Sequence, residues 1–338
     1  MMTEEKLEEL LAAPRAADVE AMRALEGPLL ILGAAGKMGP SLAHLARRAL
    51  DEAGKKTPVI AVSRFSTPES RGLFERWGIE TIGCDMLEPG ALERLPDAPN
   101  VIFMAARKFG STGNPSLTWA ANVLLPGLVA VRYRESKIVA FSSGNVYPLV
   151  PVESGGATEE TAVGPVGEYA QSVLGRERLF EHGSLTWGTP VALLRLNYAV
   201  EMRYGVLVDI GRKVQEGRPV DLTMGHVNVM WQGDANSVTL RSLAHCASPP
   251  FILNLTGEGT LRVRDIAAAF ARRFGKEAVL TGEEAPTALL NNAARCHELF
   301  GRPGVSAGQM IDWIADWIEE GGRLLNKPTH FENREGKF

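Results

Sequence analysis

The sequence predicts an α/β protein, built on a doubly wound parallel sheet with helices on both faces and a smaller C-terminal substrate lobe. Three observations carry that prediction. Short apolar runs at Leu29–Leu32, Val59–Val62, Val101–Met104, Ile138–Phe141 and Val191–Leu194 alternate with segments of helical spacing. Runs so short and uniformly apolar suit strands buried on both faces and joined by crossover helices. A glycine-rich stretch stands between the first run and the helical segment after it, and beyond about residue 200 the strand–helix rhythm loosens.

Composition bounds the rest. At 338 residues, 45% hydrophobic and 22% charged, the chain has the material for one large domain and a smaller lobe. A net charge of -4 and a pI near 6.0 argue against nucleic acid as a partner, because binding a phosphate backbone needs a basic face. Cys84, Cys246 and Cys296 are odd in number and widely spaced, which reads as a reduced chain and not a disulfide framework. The acidic start lacks the basic and apolar regions of a signal peptide, and no apolar run approaches the ~20 residues that span a bilayer. A cytoplasmic protein with no membrane partner is expected.

The elements follow in order. Residues 1–27 read as a helical extension, since Leu7, Leu10, Leu11, Val19, Met22 and Leu25 stand among charges, with Pro14 separating two short amphipathic helices. Their role is packing, against the sheet or a second subunit, and a homodimer is left open. Residues 28–200 hold the sheet, with a return segment near 228–254. Residues 201–326 form mainly the second lobe, with helices at Val206–Gln215, Leu261–Phe274 and Met310–Gly321. Residues 327–338 are polar and aperiodic, and a mobile tail is expected there.

The first strand runs into Gly33, Gly36 and Gly39, spaced GxxGxxG, with Lys37 and Met38 between the last two and Pro40 following. Glycines after a strand and before a helix permit a tight turn, close approach of the backbone to a pyrophosphate and close helix packing, while the helix start attracts phosphate charge. Proline in the first helical turn supports that placement. The spacing differs from GxGxxG, so its position carries the reading of a dinucleotide-binding Rossmann domain. The second strand ends at Ser63 and Arg64, where an NAD site commonly has an acid for the ribose 2′-hydroxyl. A hydroxyl followed by a guanidinium can hold a 2′-phosphate instead. NADP is favoured and NAD stays open, the other reading of Arg64 being a solvated strand end.

From residue 28 to about 320 the chain resembles the extended short-chain dehydrogenase/reductase family, the group of sugar-nucleotide epimerases, dehydratases and reductases. The glycine turn carries the resemblance together with Gly83 to Met86, the pair Ala105 and Ala106, Asn122, the run Phe141 to Tyr147, Thr158 to Glu160, the helix from Tyr169 to Glu177, Arg195 to Asn197 and the terminal helix Met310–Glu319. It implies that Asp85 and Met86 lie by the adenine, and that Ala105, Ala106, Asn122, Tyr169 and Asn197 belong to the cofactor site. It also implies that Ser143 binds the reacting oxygen and that Tyr169 is the acid/base, exchanging a proton with a substrate hydroxyl or carbonyl while a nicotinamide takes or gives hydride. Ser142 is the rival hydroxyl, able simply to satisfy backbone at the strand end.

One departure is chemically central. The family has a lysine four residues after the tyrosine, on the same helix face, stabilising the phenolate and binding the nicotinamide ribose; here that residue is Val173. A tyrosine of pKa ~10 is phenolate in about one molecule in a thousand at pH 7, so ~3 pK units, or ~4 kcal/mol, must come from elsewhere. Arg107 and Lys108, in the loop expected over the nicotinamide, are candidate cations, as is an oxidised nicotinamide. Lys108 is otherwise a substrate-anion or surface lysine. Arg176 shares the tyrosine's helix face but, two turns on, is expected to be far for direct contact.

Other departures concern the substrate. Glu201, Arg203 and Tyr204 replace a glycine–proline turn, and Trp231 to Asp234 stand where a pair of acids is common. Both segments normally border a sugar nucleotide, so a smaller ligand such as a sugar, sugar acid or other polyol is compatible. His245, Cys246, Cys296 and His297 fit no standard zinc spacing, and no metal is expected; no GxSxG elbow is present. The expected function is an NAD(P)-dependent oxidoreductase or epimerase of a small, carbohydrate-like substrate. The alternative is a non-catalytic NAD(P)-binding sensor or regulatory protein.

Overall fold

The computed structural model describes residues 2–108, 110–111 and 113–337. Its core is one sheet of strands β1 (Leu29–Leu32), β2 (Val59–Ser63), β3 (Glu80–Gly83), β4 (Asn100–Phe103), β5 (Lys137–Ser143), β6 (Val191–Leu196) and β7 (Phe251–Leu255). All pair in parallel, in the order β7-β6-β5-β4-β1-β2-β3. β1 and β4 are buried along their whole length, which is why they read as unbroken apolar runs. The strand order reverses between β1 and β4, and ligands of such sheets bind outside the carboxyl ends of the strands at that reversal.

Helices cover both faces. On one lie α1 (Glu4–Leu11), α2 (Ala16–Arg23) and α3 (Gly39–Glu52), and the return segment adds α9 (Gln232–Arg241) beside α2 and α3. α4 (Pro68–Arg76) joins β2 to β3. On the other face α5 (Pro115–Trp119), a π-helical turn at Ala120–Leu124 and α6 (Leu125–Arg132) run on into one another and pack against α7 (Gly167–Trp187). The smaller lobe is α8 (Val206–Gln215), α10 (Val263–Phe274) and α12 (Ala307–Glu319), packed on one another, with α11 (Ala294–Phe300) beside β7. The helical pattern from Leu261 gives way to a two-residue strand, Leu261–Arg262, paired with His226–Val227 before α10 begins.

The N-terminal extension is fastened to the chain's later half. Glu4 pairs with Arg323 at 2.6 Å and Glu8 with Arg203 at 2.6 Å, while Arg15 pairs with Asp234 and Leu7 and Leu11 enter the lobe's core. Asp234, which the sequence placed near a substrate, is thus committed to a structural pair and to the backbone N–H of Val305.

The final segment departs from expectation. Residues 327–337 do not form a loose tail but a strap across the smaller lobe. The backbone N–H and hydroxyl of Thr329 donate to Asp209 at 2.7 and 2.6 Å, and Phe331 is 1% exposed. Lys213 pairs with Glu332 at 3.2 Å, and Arg334 donates to the Thr287 carbonyl and hydroxyl at 2.7 and 2.6 Å. Gly336 closes on Gly167 at the start of α7, where a Cβ on either would strike the other's backbone or its neighbour's. A single buried phenyl ring and a few specific polar contacts hold this stretch, and neither leaves a periodic mark in sequence.

Candidate functional site

At the carboxyl edge of the sheet, beside the strand-order reversal, lies a cavity of about 350 Å³. The glycine turn supplies Gly36, Lys37 and Met38, the loop after β4 supplies Ala106 and Lys108, and the end of β5 supplies Ser143 and Asn145. α7 adds Tyr169 and Arg176, the segment after β6 adds Asn197, Tyr198 and Tyr204, and the strap adds Lys327 and Thr329. The backbone of Tyr198 has φ 48, a left-handed conformation uncommon for an aromatic residue and concentrated at ligand sites.

Tyr169 and Ser143 meet here. Their side chains share a hydrogen bond, and the Ser143 hydroxyl also accepts from the Asn145 side-chain amide at 2.9 Å. Burial pushes the Tyr169 phenol above its ordinary value, opposed by the charge of Arg176 and the bond to Ser143. Ser142 has a different place: its hydroxyl donates to the buried carboxylate of Glu177. Both residues border the cavity, but strand alternation gives the adjacent hydroxyls different partners, Glu177 for Ser142 and Tyr169 with Asn145 for Ser143.

Arg176, expected to lie far for direct contact with Tyr169, acts on its phenol through charge. Seven positions give two helical turns and the same face, and a long side chain that leans toward the helix N-terminus shortens the separation. Arg176 is 2% exposed and donates to the Phe141 carbonyl at 2.8 Å and to Asn122 at 2.9 Å, while its Nε has no protein partner. Burial pushes this guanidinium down to about 10, with Tyr169 and Glu177 acting the other way. Lys108 also approaches, its ammonium 5.7 Å from the centroid of the Tyr169 ring, and burial pushes it down to about 8.

Asn122 sits behind this wall, fully buried. It accepts from the Arg107 N–H and Arg176, and donates to the Arg107 carbonyl and the Ser172 hydroxyl, at 2.8 to 2.9 Å. All of its bonding capacity goes to protein groups. It therefore holds the loop after β4 and the Arg176 guanidinium, and the structure does not bring it to the cavity surface. The π-helical turn that carries it is a local widening of a kind often found at functional sites.

In the glycine turn, Gly33 has φ 90 and a Cβ there would lie 2.5 Å from the Ala105 nitrogen; at Gly39 it would lie 1.9 Å from the Ala34 carbonyl oxygen. Both are packing requirements, and neither residue lines the cavity. Gly36 is exposed to the cavity, with only the Gly33 carbonyl oxygen near its absent Cβ, at 3.3 Å. Lys37 reaches across to the smaller lobe, where its ammonium donates to the Ala199 carbonyl at 2.9 Å and lies 4.3 Å over the Tyr204 ring. Burial pushes it down to about 7, against the opposing charge of Glu201.

A second recess, of about 440 Å³, opens past the ends of β2 and β3, lined by Arg64, Cys84, Asp85 and Arg94 among others. Met86 lies beneath it in the core, Ala105 packs against Gly33, and Ser63 offers its carbonyl to the Cys84 N–H, so these three do not line either space. His245 packs between Phe251 and Phe300, and among the described residues no cluster of three or more His, Cys, Asp or Glu could hold a metal. No helix of the described residues is long and apolar enough to cross a membrane.

Val173 is 1% exposed and belongs to the same apolar cluster as Val206 and Leu207. Val173→Lys should therefore destabilise the fold, by about 2–4 kcal/mol near neutrality, because it buries a cation among apolar side chains beside Arg176. The unfolded chain binds that proton more tightly than the folded one, so the loss should shrink as pH rises toward the ordinary lysine value of about 10.4. Urea unfolding at several pH values checks this; an undiminished stability at pH 7 would show that the helix face tolerates a charge.

No known family's sequence profile matches the chain, and no curated protein matches it by sequence. Solved structures do. UDP-glucuronic acid 4-epimerase from Bacillus cereus, in complex with UDP-glucuronic acid and NAD, superposes with a TM-score of 0.72 at 18% identity, over 87% of this chain and 99% of that one. An epimerase from Methanothermobacter thermautotrophicus gives 0.73 at 18%, over 90% and 96%. UDP-glucose 4-epimerase from Thermotoga maritima, with UDP-glucose, gives 0.69 at 16%, over 87% and 99%. At such identities the likeness is one of fold: this chain has the fold of NAD-dependent sugar-nucleotide epimerases.

Proposed function

We propose that this protein is an extended short-chain dehydrogenase/reductase that binds a nicotinamide dinucleotide and acts as an oxidoreductase or epimerase on a hydroxyl or carbonyl of a carbohydrate-like substrate. The observation that carries the reading is the hydrogen-bonded pair of Tyr169 and Ser143, facing the glycine turn across one cavity. Nothing specific favours the non-catalytic alternative. Epimerase neighbours that hold NAD support the class of cofactor, and the residues fit it. Gly36 leaves open the close approach a pyrophosphate needs, the recess at Arg64 can take the adenosine end, and Ala106 and Tyr169 border the space for the nicotinamide. A bound nicotinamide supplies a two-electron acceptor and donor.

The chain's own residues manage the proton. Ser143 hydrogen-bonds the reacting oxygen, and Tyr169 takes its proton on oxidation or returns one on reduction. Arg176 offsets part of the cost of a buried phenolate, the service that lysine performs from the position of Val173 in the family. Since the phenol nevertheless lies above its ordinary value, oxidation should speed up with pH well past neutrality. Tyr169→Phe should lower turnover by about 10²–10⁴ while leaving dinucleotide affinity intact. Arg176→Met should move the pH–rate profile further upward and Arg176→Lys should bring it part of the way back. Stopped-flow assays over a panel of polyols and sugar acids read both effects. Full turnover in Tyr169→Phe would refute the acid/base role.

The preference for NADP rests on Arg64, with Arg94 lining the same recess. Arg64→Ala should weaken NADP binding about 10- to 100-fold and leave NAD nearly unchanged, since only the 2′-phosphate loses its partner. Calorimetry decides; equal affinities in the unmutated protein would sink the assignment.

Assembly and place of work follow the same reading. Leu117, Leu124, Leu128 and Val131, with Leu185 and Trp187, leave apolar side chains exposed along α5 to α6 and at the end of α7. A second copy related by a two-fold axis would cover them with the same side chains, giving a homodimer. Light scattering should show a dimer that Leu128→Glu with Val131→Glu converts to monomer; a monomeric parent protein overturns it. Three free cysteines accord with a cytoplasmic setting.

A further inference from the structure

We propose that the strap completes a binding site for a small carboxylate, so that the substrate is a hydroxylated acid and not a neutral polyol; this deepens the function proposed above and rests on it. Among the described residues the cavity is lined by Lys37, Lys108, Arg176 and Lys327 and by no aspartate or glutamate. The acids that act on Lys37 and Lys108 lie outside that lining: Glu201 is paired with Arg203 at 3.1 Å, and Asp209 accepts from the N–H and hydroxyl of Thr329. Lys37 is met by a carbonyl oxygen and a ring face, which steady an ammonium without neutralising it.

A concentration of one sign of charge within partly enclosed walls selects the opposite charge in its ligand. The geometry divides the tasks. Tyr169 and Ser143 face the cavity from the sheet side and Lys327 from the strap, so an acid group near Lys327 would leave a hydroxyl-bearing carbon for Tyr169. Asn145 and the two tyrosines Tyr198 and Tyr204 offer hydrogen bonds to further hydroxyls. Lys327 itself is exposed, but the residues after it are anchored through Thr329 and the buried Phe331. Its position is therefore set by the strap. Burial that pushes Lys37 and Lys108 down, to about 7 and about 8, is reversed by an anion, which restores the charged forms.

The test uses matched probes on the full chain with saturating NADP or NAD: glucuronate against glucose, gluconate against glucitol, and glycerate against glycerol, by calorimetry. At least one acid should bind at millimolar concentration and exceed its neutral partner by about tenfold or more. That advantage should fall as pH rises from 6 to 9 through the range about 7 to about 8 in which Lys37 and Lys108 lose their protons. Lys327→Gln, an exposed change that leaves Thr329 and Phe331 in place, should reduce acid affinity by about tenfold with dinucleotide affinity unchanged. If dinucleotide binds and no acid outcompetes its neutral partner, the anion site is refuted and the cofactor reading stands. If no dinucleotide binds, the underlying reading fails. UDP-glucuronate binding far more tightly than glucuronate, with the nucleotide alone binding as well, would overturn the small-acid assignment in favour of a nucleotide-linked one.

Discussion

The arrangement hangs on one buried ion pair. The Glu177 carboxylate on α7 receives two bonds from Arg195 on β6, at 2.9 and 2.7 Å, and both side chains are almost wholly enclosed. Arg195 goes on to the Tyr147 hydroxyl at 2.7 Å, and that hydroxyl to Asn254 on β7 at 2.9 Å. Ser142 on β5 completes the coordination of Glu177. Such a pair adds little net stability once desolvation is counted, but losing one partner strands a charge at a cost of about 3–5 kcal/mol. What it provides is position: three neighbouring strands and the tyrosine helix share one set of directional bonds, so Tyr169 and Ser143 cannot slide relative to each other.

Above that pair the electrostatics are graded. Arg176, one residue before Glu177, is fastened by Asn122 and the Phe141 carbonyl, close enough to the phenol to favour its charged form and too well held to leave. Arg176, two turns on from Tyr169, keeps a cation near the tyrosine, while Val173, one turn on, belongs to the lobe's apolar core. Lys37 and Lys108 bring further charge from other loops to the lining of the same cavity.

Much of the frame was legible in the residues. Four-residue apolar runs marked five of the seven strands because a two-sided buried strand has no polar alternation to blur it. β3 lacked that mark, since its burial is only partial. The turn at Gly33 to Gly39 was readable because two packing requirements, at Gly33 and Gly39, and an open position at Gly36 fall at fixed spacing. Counting turns gave the helix face of Arg176 but not its influence, which reaches the Tyr169 phenol as charge and not as a direct bond. Asn122 was expected at the cofactor from the family resemblance, but a fully buried amide with four protein partners has no atom left for a ligand. The strap was missed for a different reason: its anchors, Asp209, Thr287 and Gly167, are each local and unremarkable in sequence, and only the folded lobe sets them in a row.

The strap also orders events in time. On the ribosome the sheet has its last strand when Leu255 emerges, and Tyr169, Ser143 and the glycine turn can already take their places. The cavity wall at Lys327 and Thr329 comes off later, after the lobe helices that receive it. A nascent chain that has exposed Leu255 therefore holds every strand of the sheet and still lacks the strap side of the cavity. The stretch that closes it lands on Gly167, two residues from Tyr169, so the last residues to be synthesised pack at the start of α7.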